Sequence, residues 1–195
     1  MSNPLDDAFA KAQSERAAEA HLKGEKERAA ELAARDLLEG YRGVLAAVPR
    51  YVDATPEAIT LAWLPSIEPP SSVVPAGTGR DHRGSSFAFG TCDAWRFTRS
   101  HPEDKTRTEF FIAADCATVF TTKRLSGVRL KRRLQRAVSA ELIEAFADVR
   151  TGRYDLWLDV SPGYGDQPYR LNRCSLLRPE GIAEIIAEQE IARRH

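Results

Sequence analysis

The sequence predicts an α+β protein: an antiparallel sheet of about five or six strands with helices packed on it, preceded by a long N-terminal helix. Three observations lead there. Residues 5–48 contain no proline and are rich in alanine and charge. Residues 87–97 alternate bulky with small side chains at a period of two. Strand and helix patterns do not alternate regularly, as a doubly wound parallel sheet would require. The chain divides on these patterns into an N-terminal helix, 1–49, and an α+β domain, 50–195, with a long loop at 65–86.

The first element is expected from Leu5 to Val48, weakened at Gly24, with Pro4 suited to a first helical turn and Pro49 as its stop. Its front part has few large apolar residues. Acid–base pairs four apart, Asp7–Lys11, Glu19–Lys23 and Glu31–Arg35, supply local support. Farther on, Ala30, Ala34, Leu37, Tyr41, Val44 and Val48 recur at alternating steps of four and three. This is a narrow apolar seam of coiled-coil type, long enough for docking on a sheet or for association with another helix. We take these six as candidate partner-binding residues.

Ala58–Leu64 reads as a strand, and the proline-, glycine- and serine-rich stretch 65–86 as a loop. A strand follows along Phe87–Phe97, then a turn and a returning strand at Thr108–Ala114, with another at Thr118–Thr122. A second helix is expected over Val128–Val149. Strands at Tyr154–Val160 and Tyr169–Leu176 precede a last helix from Pro179 to about Arg194. Ile182, Ile185, Ile186 and Gln189 define its buried face. Trp95, Trp157, Tyr154 and Tyr169 fit core positions on strands.

A chain of 195 residues is long enough for one well-buried core. No apolar run reaches the ~18 residues of a membrane span, and the first residues carry Asp6 and Asp7 rather than a basic leader. Cys92, Cys116 and Cys174 are odd in number and far apart, without ligand spacing. Reduced thiols in a cytoplasmic protein are expected, with no metal and no cofactor.

The net charge of zero conceals segregation. Residues 77–136 hold 13 basic and 6 acidic side chains, between two acidic flanks. Within them, Lys123, Arg124, Arg129, Lys131, Arg132, Arg133 and Arg136 form a run without an acid. On a helix over 128–149, Arg129, Arg132, Arg133 and Arg136 make one outward ridge opposite Leu130, Leu134 and Val138. Cations in a first helical turn oppose the macrodipole, so the ridge calls for an anionic partner or for acids elsewhere in the protein. A competing register places a strand over 128–134 and starts the helix near Ser139, a good N-cap residue.

On sequence, this is a non-enzymatic binding or assembly protein. It uses its N-terminal helix for subunit or partner association, and its basic segment to meet an acidic surface. Two alternatives stand beside that reading. One is nucleic-acid binding through Lys123–Arg136. The other is an enzyme acting on an anionic substrate at the loop Gly77–Gly84, where Asp81 and His82 are weak catalytic candidates.

Overall fold

In the computed structural model, residues 4–80, 86–101, 106–130, 138–155 and 178–194 are described. Two compact units are present, Met1–Leu37 and Leu38–His195. Helix α1 runs from Pro4 to Tyr51. It passes through Pro49, which removes one ladder donor but does not end the helix at 48 as the sequence suggested.

In the second unit the strands are β1 (Glu57–Trp63), β2 (Val74–Arg80), β3 (Ser86–His101), β4 (Thr106–Ala113), β5 (Thr118–Leu130), β6 (Val138–Asp148) and β7 (Arg153–Asp155). Helix α2 is Pro179–Arg194. All seven strands belong to one sheet. The pairs β1–β3, β3–β4, β4–β5 and β5–β6 are antiparallel, and β6 pairs back onto β1. Four antiparallel steps leave the fifth strand of the ring pointing as the first does. The closing pair, Leu61 and Ala62 against Glu141 and Leu142, is therefore parallel. The α+β class holds, and the expected antiparallel sheet is corrected to a closed, mixed barrel.

The barrel interior shows why closure is stable. Ile59, Leu61 and Trp63 of β1 pack with Cys92 and Ala94 of β3, Phe111 and Ala113 of β4, Phe120 of β5, and Ile143 and Phe146 of β6. Phe111 and Phe120 stack with centroids 5.5 Å apart. Each strand contributes alternate residues, so the period of two becomes a filled lumen. Small residues are needed at the tightest point. A Cβ on Gly90 would lie 2.5 Å from the Val74 carbonyl oxygen and 3.0 Å from Trp63 Cη2.

Two sequence expectations fail here. Residues 138–148 form a strand, so neither the helix over Val128–Val149 nor the one starting at Ser139 exists. Ala140, Leu142, Ile143, Ala145, Phe146 and Ala147 are all buried, on both faces of β6. A strand covered on two sides loses its alternation and imitates a helix stripe. The loop at 65–86 is also shorter than expected, because β2 occupies 74–80. This strand pairs with the first half of β3 and, through Gly79↔Leu130 and Arg80↔Arg129, with the end of β5. The strands expected at Tyr154–Val160 and Tyr169–Leu176 lie outside the described residues, except for the 154–155 end of β7.

Helix α2 packs along β3. Gln189 Oε1 accepts the Thr98 backbone N–H at 3.3 Å, and Arg99 pairs with Glu188 at 3.0 Å. Ile182, Ile185 and Ile186 are buried as expected; Glu190, rather than Gln189, completes that face. Buried Glu190 pairs with Arg193.

Candidate interaction surfaces

The seam of α1 divides between two uses. Tyr41 and Val48 are buried, together with Leu45, in the core of the second unit. They are structural, and their assignment as partner-binding residues is corrected. Val44 is half-buried. Ala34 and Leu37 are half-buried, and Ala30 is exposed. A seam that continues smoothly in sequence thus changes function along its length, because only its last two turns meet the protein's own core.

The front of α1 has a different character. From Lys11 to Ala33 every residue except Gly24 is exposed, including Leu22 and Leu32. Phe9 is 67% exposed. Ala18, Leu22, Ala29 and Leu32, with Glu25 between them, form a stripe at steps of four and three. Its ion pairs run base to acid, Lys11–Glu15 at 4.0 Å and Lys23–Glu27 at 3.9 Å, with His21–Glu25 at 3.7 Å. Lys23 thus pairs with Glu27 and not with Glu19 as expected. Each contributes only a few tenths of a kcal/mol. Isolated helices in water are marginal when such pairs are their main support.

A second apolar feature lies between the end of α1 and α2. Val44, Ala47 and Tyr51 face Ala183, Ala187 and Ile191 across a groove of about 500 Å³. Arg194 closes one end, donating to the Tyr51 carbonyl at 3.2 Å. The sequence reading missed Tyr51 and Ile191. Ile191 is a large apolar residue off the buried stripe of its helix, and that was the available signal.

The third surface is cationic. Lys123 and Arg124 lie on β5, exposed, and Arg129 lies on the same strand. These residues lie on a strand and not on the outward face of a helix, so the helical ridge is withdrawn. Lys131, Arg132, Arg133 and Arg136 lie outside the described residues. So do Asp81 and His82; of their loop, Gly77, Gly79 and Arg80 belong to β2.

Cys92 and Trp95 each have a hydrogen-bond partner within the fold. Burial first, and then Asp115 and Asp93, push the Cys92 thiol up to about 12. Trp95 is half-buried and donates Nε1–H to the Ala54 carbonyl at 2.6 Å. Among the described residues no cluster of His, Cys, Asp or Glu is placed to hold a metal ion. No described helix is long and apolar enough to cross a membrane. Compared with family models, with curated proteins and with solved structures, the chain matches none.

Proposed function

We propose that this is a non-enzymatic assembly protein in which the front of α1 pairs with the same segment of a second copy. The observation that carries the reading is the exposed stripe Ala18–Leu22–Ala29–Leu32 on a helix with little else to hold it. A helix of this kind gains stability by covering its stripe, as two-stranded coiled coils do. Charge favours an identical partner. Acids and bases are interspersed along residues 4–37, so neither a strongly acidic nor a strongly basic surface complements the helix as well as its own copy. Alanine on the stripe permits close approach of the two backbones.

Multi-angle light scattering on the full chain tests this. The expected mass is twice 21.7 kDa. Leu22→Glu with Leu32→Glu should return it to a single chain. A wild-type mass of one chain across a wide concentration range, or an unchanged oligomer in the double variant, overturns the reading.

A further inference from the structure

We infer that the groove between the end of α1 and α2 is a binding site for a single straight acyl chain with an anionic head, the chemistry of a fatty acid. Its walls are residues 43–51 of α1 and 183–194 of α2, all within one compact unit. The two helices meet at both ends of the groove. At one end Gly40 lies so close to Pro179 that a Cβ added to it would come within 2.8 Å of the proline Cγ. At the other end Arg194 donates to the Tyr51 carbonyl at 3.2 Å. Between these contacts lies a volume of about 500 Å³, within the size range of small-molecule sites.

The lining and the closed ends select the occupant. Val48 and Ile186 are buried in the floor, while Tyr51 and Ile191 stand at the rim, 59% and 60% exposed. Ala47 and Ala183 are too short to fill the space between the walls. A docking helix reads a groove through anchors at i, i+3 or i+4 and i+7, and its chain continues past both ends. Here the Gly40–Pro179 contact and the Arg194 bond stand across those exits, so a ligand has to begin and end inside. α1 rises ~12 Å from Gly43 to Tyr51, and α2 rises ~16 Å from Ala183 to Arg194. An extended chain with carbon–carbon bonds of about 1.5 Å spans this with roughly ten to twelve carbons.

Charge is confined to one end. Glu190 and Arg194 are the charged residues of the lining among the described residues. Buried Glu190 is already matched by Arg193. Arg194 has Asp53 near it at 3.7 Å, and that carboxylate is 90% exposed to water. Both contacts of Arg194 are made by Nη2, and a guanidinium has further N–H donors in the same plane. A carboxylate takes such donors in pairs, whereas a cationic head would meet Arg194 as a like charge. The inference is independent of helix pairing through α1, which uses residues 18–32.

Isothermal titration calorimetry with the full chain and straight-chain carboxylates from hexanoate to tetradecanoate, each below its micelle-forming concentration, tests it. Affinity should rise roughly two- to fourfold per added methylene and level off near dodecanoate, where the chain outgrows the groove. Ala187→Trp fills the groove from an exposed position. It should weaken dodecanoate binding about tenfold or more with an unchanged far-ultraviolet spectrum. If that variant unfolds, Ala183→Phe carries the same test. Arg194→Gln should weaken binding about threefold, as expected for an ion pair open to water. No binding of dodecanoate, affinity still climbing at tetradecanoate, binding that ignores the filled groove, or equal affinity for decanoate and decyltrimethylammonium overturns the proposal.

Discussion

Asp148 Oδ2 accepts the backbone N–H of Ser71 at 2.7 Å, tying the segment after β1 to the last residue of β6. Its Oδ1 accepts the N–H groups of Arg150 and Thr151 at 3.0 and 3.1 Å. The carboxylate is fully buried, so all three donors depend on it. Asp148→Ala should cost about 2–4 kcal/mol in urea unfolding, because three donors lose a charged acceptor together.

The same carboxylate gives a pH signature. Burial raises its pKa, but the hydrogen bonds from Ser71 and Thr151 together outweigh that and hold it below the ordinary 3.8. A depressed folded value means that the stabilisation is fully present above the unfolded value and is lost as pH falls through the folded one. Unfolding midpoints measured from neutral pH down to below 3.8 should fall more steeply for the wild type than for Asp148→Asn.

Gly90 is held against backbone. Gly90→Ala would press a methyl group toward the Val74 carbonyl, 2.5 Å away, and Val73 Cγ1, 2.8 Å away. Neither is the end of a flexible side chain. A loss of about 1–3 kcal/mol is expected in thermal or urea unfolding, with the sheet register disturbed at β2.

Thiol labelling should separate two cysteines. Cys92 is buried with its pKa raised to about 12, so native protein treated with iodoacetamide near pH 8 should leave it unmodified. Cys116 is half-buried and should label sooner, although burial also raises its pKa. Peptide mapping by mass spectrometry distinguishes the sites, and urea should equalise them.

Gly24 interrupts the exposed helix. An added Cβ would meet nothing nearer than Arg28 Nη2 at 3.9 Å. Gly24→Ala should therefore strengthen the front of α1 by up to about 1 kcal/mol. It should appear as higher ellipticity at 222 nm and slower proteolysis between residues 11 and 33.

Much of this fold was legible where one periodicity dominated. Phe87–Phe97 alternates because one face fills the lumen. Pro179–Arg194 shows one stripe because one side meets β3. The β6 segment misled because Leu142 and Ile143 are both buried, one on each side of the strand. β2 was hidden because Pro75, Gly77 and Gly79 carry turn signals while pairing as a strand. Closure depends on Leu61 meeting Glu141, and no local pattern encodes a pairing so distant in sequence. On the candidate surfaces, the basic run was visible as composition, but Arg80 joined it only through the β2–β5 register.

The parallel seam between β1 and β6 also sets an order of events. Its partners, Leu61 and Glu141, are separated by the whole of β3, β4 and β5. The hairpins β3–β4 and β5–β6 close shorter loops and can form before β1 has its second neighbour. Until that seam zips, β1 and β6 each present an unpaired edge. The interval before closure is when a newly made chain is most exposed to sticking to another.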